Sequence, residues 1–298
     1  MEHLQKELAQ AGVRTEKNFP LCRHSTFRIG GCARLALFPK TREELLYCLA
    51  ALKQSELRFL VIGNASNVVF SDDGFDGAVL FTTAFRSLEH RGNRLQVGAG
   101  VPLHAVASLA ERASLGGAEF LHGIPGTLGG AIFMNAGAFG GCMADICESS
   151  EYFDMCTGKV ATLYGREQEF ANRTSFYQKH PNCIVLGATL VLREGNREEI
   201  CRLMRDYMER RRRTQPLEYP SAGSVFKRPE GYFAGKLIED CGLKGTRVGG
   251  AEVSVKHAGF IVNRGGATAK DVRCLVALIQ ERVLKETGVS LECEIRFL

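Results

Sequence analysis

Three stretches of the chain carry apolar residues at helical spacing behind a short polar residue, with an acidic residue three positions later. That arrangement is a capping box, in which the two side chains satisfy free backbone N–H groups at the start of a helix. The pairs, with the helices that they open, are Thr41 and Glu44 (41–55), Asn196 and Glu199 (196–213), and Thr268 and Asp271 (268–288). The last predicted helix ends at Gly288, as expected for a C-terminal glycine.

Between the first two predicted helices, short β-branched apolar runs alternate with glycine turns, which is typical of strands. The predicted strands are FLVIG (59–63), NVVFS (67–71), AVLFTT (78–83), a pair near 150–165, and CIVLGATLVL (183–192). The segment SLEHRGNRLQVGAG predicts a hairpin around Gly92 and Asn93.

The pattern changes again near 205–215. A glycine-rich entry leads into a short helix at AGKLIEDCGL, a strand at GFIVN, the long third helix and a final strand at LECEIRFL. Strands cluster along the chain instead of alternating regularly with helices, so the sequence predicts an α+β fold and not a doubly wound nucleotide fold. We expect one module over 1–210, with two subdomains divided near 85, and a smaller domain over 211–298.

Length and composition are those of an ordinary globular protein. A chain of 298 residues exceeds the usual size of a single core, which predicts two or three packed subdomains. No apolar run approaches the ~20 residues that span a bilayer. The N-terminal MEHLQKELAQAG is polar and helix-forming and has no apolar signal region, so we expect a cytoplasmic protein without membrane insertion.

The eleven cysteines raise the question of disulfides or a metal site. Their number is odd, they run from Cys22 to Cys293, and no CxxC pair occurs. We interpret them as small apolar core residues in a reducing compartment, and we expect no metal site.

The net charge of +5 is mild and does not favour a nucleic-acid partner. The only basic cluster, Arg210 to Arg213, ends a predicted helix, where cations interact favourably with the helix dipole. The small positive excess suits anionic ligands such as nucleotides.

Two glycine-rich segments are the first candidates for chemistry: GNASN (63–67) and GIPGTLGGAIFMNAGAFGG (123–141). Glycine lets backbone N–H groups approach phosphate oxygens closely. Neither segment is a P-loop or a Rossmann fingerprint. From spacing alone, diphosphate binding and tight turns explain these glycines equally well.

Several motifs together resemble the UDP-N-acetylenolpyruvoylglucosamine reductase family, within the vanillyl-alcohol-oxidase type of flavoprotein. The resemblance runs from about residue 20 to the C-terminus and is similar to the subtype that lacks a substrate-covering tyrosine loop. Besides the two glycine-rich segments it rests on STFRIGG (25–31), QPLEYPSAGSVFKRP (215–229), AGKLIEDCGLKGTRVGGAEVS (234–254), KHAGFIVNRGGATAKDV (256–272) and LECEIRF (291–297).

The resemblance implies an enzyme that uses non-covalent FAD and the co-substrate NADPH. Such an enzyme reduces UDP-N-acetylglucosamine enolpyruvate to UDP-N-acetylmuramate for peptidoglycan, and so serves cell-wall biogenesis, cell shape and division. It implies that 1–210 is an FAD-binding module and 211–298 a substrate-binding domain. The implied FAD-binding residues are Gly63, Asn64, Ala65, Ser66, Asn67, Gly123, Ile124, Gly126, Thr127 and Gly130.

The resemblance also implies three catalytic residues. Arg173 would pair with the substrate carboxylate, Ser224 would donate a proton, and Glu294 would help stabilise or polarise the intermediate. Without the surrounding motifs these residues would be interpreted as a surface cation, a turn former and an edge-strand charge.

Four further residues, Lys227, Arg228, Lys256 and His257, lie in matching segments. The sequence leaves two interpretations open for them, which are contacts to the diphosphate or carboxylate of the substrate and ordinary solvated positions. His122 borders the second glycine-rich segment and is interpreted as structural.

The chain departs from the family pattern at two places. Asn64 and Ala65 stand where glycines are common, and we expect a negative φ at Ala65 because its side chain disfavours the left-handed region. Asn172 replaces an aromatic residue that often precedes the arginine, which changes what orients Arg173.

Two alternatives stay open from the sequence. A flavin oxidase of the same superfamily would share the flavin motifs but would not explain SAGSVFKRP or KHAGFIVN. A non-catalytic nucleotide-binding regulator would bind a UDP-sugar without flavin and without consuming NADPH. The oligomeric state is not predicted.

Overall fold

The computed structural model describes residues 1–55 and 57–298. Mixed helices and clustered strands confirm the predicted α+β class. The described residues form eight α-helices, which are α1 (Glu2–Gln10), α2 (Arg42–Gln54), α3 (Leu103–Arg112), α4 (Leu128–Met134), α5 (Phe176–Lys179), α6 (Arg197–Thr214), α7 (Ala234–Asp240) and α8 (Ala269–Thr287).

The strands are short, and many have only two residues. They are β1 (Arg14–Pro20), β2 (Cys32–Phe38), β3 (Phe59–Ile62), β4 (Val68–Val69), β5 (Phe75–Phe81), β6 (Leu88–Arg91), β7 (Arg94–Gly98), β8 (Leu115–Gly116), β9 (Gly137–Ala138), β10 (Gly141–Cys142), β11 (Cys147–Asp154), β12 (Lys159–Tyr164), β13 (Cys183–Val191), β14 (Arg193–Glu194), β15 (Ser221–Ser224), β16 (Arg247–Val248), β17 (Ala251–Val253), β18 (Phe260–Asn263) and β19 (Arg296–Phe297).

The chain divides into two compact units. Unit 1 comprises Met1–Asn18, Arg34–Asn64 and Gly77–Glu209. It holds most of a four-stranded sheet with the order β1-β2-β5-β3 and a five-stranded sheet with the order β12-β11-β13-β7-β6. One buried cluster packs around Leu45, Leu49 and Leu80, and another packs around Leu95 and Ile132.

Unit 2 comprises Phe19–Ala33, Ala65–Asp76 and Arg210–Leu298. Its sheet has the order β15-β18-β17-β16, and β19 pairs in parallel with β4. The long helix α8 buries a stripe that includes Val272, Leu275 and Ile279, whose period matches one face of a helix. Segments distant in sequence therefore share one core.

The three predicted capping residues are confirmed as helix starts. Thr41 accepts from the N–H of Glu44 at 3.2 Å, and Asn196 accepts from the N–H groups of Glu198 and Glu199. The pair of Thr268 and Asp271 forms a complete capping box. Gly288 ends α8 with φ at 73°, in the left-handed region that glycine tolerates.

The predicted hairpin is confirmed, because β6 pairs with β7 across a turn in which Gly92 has φ at 61°. Three helices, α3, α4 and the single turn α5, were not predicted. The helix α4 lies inside the second glycine-rich segment, where the low helix propensity of Gly129 and Gly130 hides it. A Cβ at Gly129 would lie 3.1 Å from that of Ala99, so close packing explains the glycine.

None of the helices in 1–55 and 57–298 is both long enough and apolar enough to cross a lipid bilayer.

Candidate active site

The first half of GNASN meets the second glycine-rich segment within unit 1. The side-chain amide of Asn64 donates to the carbonyl oxygen of Pro125 at 2.8 Å. A Cβ at Gly63 would lie 2.1 Å from the hydroxyl oxygen of Thr127, so any side chain there would displace Thr127. The two segments that the sequence pointed to as flavin loops are thus packed together.

The second segment is held in place by residues around the start of α3. The N–H of Leu103 donates to the carbonyl of Gly126 at 3.0 Å, and the N–H of Leu128 donates to Val101 at 2.9 Å. Thr127 is the N-cap of α4 and has extended backbone angles. These contacts fix where the loop ends and the helix begins.

Two buried polar atoms at this loop have no hydrogen-bond partner among the described residues. They are the hydroxyl oxygen of Thr127, a residue that is 2% exposed, and Nδ1 of His122. Burial, and then the nearby His104, lower the pKa of His122, which favours the neutral ring. A buried polar group without a partner costs ~1–3 kcal/mol, so a ligand that completes these bonds would stabilise the loop. The loop therefore fits a diphosphate-bearing cofactor such as FAD.

The second half of GNASN belongs to unit 2 and has a backbone conformation that differs from the expected one. Ala65 has φ at 47°, in the left-handed region, so the expected negative φ is wrong. Its side chain is the smallest that carries a Cβ, and its carbonyl oxygen lies 3.4 Å from both the N–H and the hydroxyl of Thr26. The conformation costs roughly 1–2 kcal/mol, and the surrounding contacts must supply that free energy.

Asn67, at the end of the same loop, contacts the strand that follows Glu294. Its side-chain amide donates to the carbonyl of Glu294 at 3.1 Å, and its own carbonyl accepts from the N–H of Arg296 at 3.0 Å. The parallel pairing of β4 and β19 continues this contact. Glu294 is partly buried beside the loop.

Ser224 ends β15 and is exposed. The register of β15 against β18 shifts between Ser221 and Ser224, and Gly223 in that shift has φ at 79°. The irregularity is a bulge, which commonly redirects a side chain at the end of a strand. The N–H of Glu294 then donates to Val225 at 2.7 Å, so the structure brings the segments of Ser224 and Glu294 together in unit 2.

Arg173 lies in unit 1, in a two-residue turn closed by reciprocal hydrogen bonds between Ala171 and Thr174. Its φ is 56°, an unusual value for a long side chain. Its guanidinium donates to the carbonyl of Gly137 at 3.2 Å. Strained backbone at a candidate catalytic residue is common in enzymes.

The four residues with open interpretations all lie in unit 2, in different settings. Lys227 pairs with Glu292, whereas Lys256 donates to the carbonyl of Arg212 at 2.7 Å and lies 3.7 Å from Glu218. The guanidinium of Arg228 lies over the ring of Phe233, 3.9 Å from its centre. The Nδ1 atom of His257 accepts from the N–H of Gly259, and burial lowers its pKa.

All eleven cysteines are free. Cys48, Cys147 and Cys241 are buried, as apolar core residues are, and burial raises the pKa of Cys48 and Cys147 to about 12. The same interpretation is wrong for Cys32, Cys156 and Cys274, which are exposed.

Three residues that sequence reasoning missed support the site. Thr26 bridges loop and strand, since its hydroxyl also lies 2.8 Å from the carbonyl of Ser221. Asn135 and Gln178 contact the turn of Arg173. A threonine in STFRIGG and an asparagine in MNAGAFG are local signals, but their partners lie tens of residues away and no spacing predicts them.

Two family models match the chain. The model described as the C-terminal domain of UDP-N-acetylenolpyruvoylglucosamine reductase matches residues 215–298, and that of an FAD binding domain matches residues 33–164.

Full-length relatives carry the same description. UDP-N-acetylenolpyruvoylglucosamine reductase from Caldicellulosiruptor bescii is 45% identical over 98% of this chain and 93% of its own length. The enzyme of that name from Caldanaerobacter subterraneus is 44% identical over 98% and 96%. A solved structure, UDP-N-acetylenolpyruvylglucosamine reductase from Thermus caldophilus, has a TM-score of 0.81 at 38% identity and covers 96% of this chain and 99% of its own.

Proposed function

The chain belongs to the UDP-N-acetylenolpyruvoylglucosamine reductase family, and from that premise we propose that Ser224, Arg173 and Glu294 perform the chemistry on its substrate. The enzyme is an FAD-containing oxidoreductase. It reduces UDP-N-acetylglucosamine enolpyruvate to UDP-N-acetylmuramate with NADPH, a step in peptidoglycan precursor biosynthesis.

Bound FAD would supply the hydride chemistry between NADPH and the terminal carbon of the enolpyruvyl group. The residues that would hold it are those of the two glycine-rich loops. Gly63 and Thr127 support this assignment, because a side chain at the first would displace the second, whose buried hydroxyl has no hydrogen-bond partner in the described part of the chain.

Arg173 stabilises the charge that the hydride brings to the substrate. Addition at the terminal carbon leaves an electron pair that delocalises onto the neighbouring carboxylate. A guanidinium is always charged and donates two parallel hydrogen bonds to a carboxylate. Because the carboxylate carries more negative charge in the enolate-like state, Arg173 stabilises that state more strongly than it binds the substrate.

Ser224 supplies the proton that completes the reduction. A serine hydroxyl is a weak acid, so it serves only against a strongly basic carbon in an ordered site. The hydrogen bond from the N–H of Glu294 to Val225, the residue after Ser224, is the observation that carries this assignment, because it ties the proton donor to the glutamate segment. In this arrangement Glu294 polarises the developing intermediate.

Among the four residues left open by the sequence, Arg228 is the best candidate for the substrate diphosphate. Lys227 and Lys256 each have an acidic neighbour within 4 Å, whereas Arg228 stacks on Phe233 and has no carboxylate partner in the described part of the chain. His257 and the two lysines complete the proposed substrate contacts.

We also propose the finer organisation expected from the sequence. Residues 1–210 form the FAD-binding module and 211–298 the substrate-binding domain. The enzyme works in the cytoplasm on small molecules, without a nucleic-acid partner and without inserting into a membrane.

Spectroscopy of the purified protein tests this function. We expect a flavin absorption band and NADPH oxidation that requires the enolpyruvyl UDP-sugar. A colourless protein that cannot take up FAD would support a nucleotide-binding regulator instead. NADPH oxidation that depends on oxygen and ignores the UDP-sugar would support a flavin oxidase.

A further inference from the structure

The turn that carries Arg173 is held at two carbonyl oxygens by side-chain amides. The Nδ2 atom of Asn135 donates to the carbonyl of Ala171 at 2.9 Å. The Nε2 atom of Gln178 donates to the carbonyl of Arg173 itself at 2.8 Å. The two amides therefore hold the turn at its first and third residues.

The same two side chains reach the C-terminal end of α4. Gln178 lies 3.0 Å from the carbonyl of Phe133, which also accepts from Ser175 at 2.9 Å. Asn135 is the C-cap of α4 with φ at 42°, and its Oδ1 accepts from the N–H of Ala144 at 3.0 Å. Left-handed caps at asparagine are common, so the backbone here suits the residue.

The helix α4 connects this network to residues 123–127, the start of the second glycine-rich segment. It starts after Thr127 and ends at Met134, only seven residues later. Its start is tied to Val101 and its end to Gln178 by hydrogen bonds. The loop, the helix and the turn of Arg173 thus form one continuous hydrogen-bonded piece within unit 1.

We propose that Asn135 and Gln178 are positioning residues that fix Arg173 relative to the flavin loop through α4. The proposal rests on the proposed role of Arg173. The amides touch neither the substrate nor the cofactor in this scheme. They hold a left-handed backbone at Arg173, so that its guanidinium is preorganised for the substrate carboxylate.

Gln178→Leu removes the side-chain donor and keeps a side chain of similar size. Asn135→Gly removes the side-chain amide, and glycine adopts the left-handed φ of this position without strain. Rapid mixing separates bleaching of the flavin by NADPH from its reoxidation by the enolpyruvyl UDP-sugar. We expect each variant to bleach at a near-normal rate and to reoxidise about 10²-fold more slowly, the usual cost of a displacement of ~1 Å. Gln168→Leu, which loses a buried amide bonded to the carbonyl of Cys147, is the control and should keep both rates.

The decisive readout is Gln178→Leu in an Arg173→Ala background. If Gln178 acts only through Arg173, removing it there should change reoxidation by less than about twofold, since coupled positions are not additive. Equal slowing in both backgrounds would overturn this inference and leave the role of Arg173 intact. Unimpaired reoxidation in Arg173→Ala alone would overturn the role of Arg173 and the inference together. If Gln178→Leu does not fold, Asn135→Gly gives the same comparison.

Discussion

The N–H of Glu294 donates to the carbonyl oxygen of Val225 at 2.7 Å, and this bond joins the segments of two proposed catalytic residues. Val225 directly follows Ser224, and Asn67 of the flavin loop holds the carbonyl of Glu294. Three segments that are far apart in sequence therefore meet at one backbone position in unit 2. Such convergence is what a preorganised site requires.

Ser224→Ala tests the proton donor. We expect NADPH to bleach the flavin at a near-normal rate, because the serine does not act in that half-reaction. Reoxidation by the enolpyruvyl UDP-sugar should fall ~10²–10⁴-fold, the range typical of general-acid catalysis. Stopped-flow absorbance of the flavin measures both rates.

Ser290→Ala is the control, since it removes an exposed hydroxyl of unit 2 outside β15. Its reoxidation rate should stay close to that of the wild type. Normal reoxidation in Ser224→Ala would show that another group supplies the proton.

Arg173→Lys tests the need for a planar fork. Lysine keeps the charge but presents it as a point, so it cannot donate two parallel hydrogen bonds to the carboxylate. A loss of roughly 1.4–2.8 kcal/mol of transition-state stabilisation corresponds to a 10- to 100-fold slower reoxidation. Arg166→Lys, at an exposed position of unit 1, should leave the rate unchanged. Equal rates for Arg173→Lys and the wild type would mean that charge alone suffices.

Local signals predicted the elements whose cause is local. Thr268 and Asp271 form the predicted capping box, and Gly92 makes the predicted hairpin turn, because both effects act within four residues. The helix α4 was missed because packing against Ala99, and not propensity, decides its conformation. The predicted strands NVVFS and LECEIRFL are only two residues long in the structure, as β4 and β19. Only those two residues of each segment pair with each other.

In the candidate site, too, the features with a local cause could be predicted, and those that depend on distant contacts could not. The glycine-rich loops are evident in the sequence because glycine marks a close approach, as at Gly63. The left-handed φ of Ala65 was not predictable, because the contacts that hold it come from Thr26, 39 residues earlier. The role of Asn135 depends on a hydrogen bond to Ala171, 36 residues later, which leaves no trace in local spacing. Gln178 bonds to Arg173 only five residues away, within a turn that no sequence pattern predicted.

Ala65→Gly should stabilise the protein. Glycine has no Cβ and adopts a φ of 47° without strain, which outweighs the greater freedom that it adds to the unfolded chain. We expect a gain of about 1 kcal/mol in the free energy of unfolding. Urea unfolding of protein freed of flavin measures it, so that ligand binding does not contribute.

Ala277→Gly, at an exposed position in the interior of α8, is the opposite control and should lose about 1 kcal/mol. If Ala65→Gly is destabilised, the packing of the methyl group contributes more free energy than the strained backbone costs.

Asp271→Asn should weaken the acid sensitivity of unit 2. A hydrogen bond from the N–H of Thr268 is the main cause that lowers the pKa of Asp271 below its usual 3.8, and one from Gly250 adds to it. A folded pKa below the unfolded one contributes stability that is complete above the unfolded value and lost as the pH falls through the folded value. Asparagine has no such titration, so the urea midpoint of the variant should decline less than that of the wild type between about pH 5 and pH 2.

Thr268→Ala separates this titration from the cap as a whole. It removes the hydroxyl that accepts from the N–H of Asp271 at 3.0 Å but keeps the backbone N–H groups that lower the pKa. We expect a loss of about 1 kcal/mol at every pH, with most of the acid sensitivity retained. If the urea midpoints of the wild type and of Asp271→Asn fall in parallel with pH, other carboxylates control acid unfolding. If the urea midpoint of Thr268→Ala does not change with pH, the hydroxyl of Thr268 causes the effect.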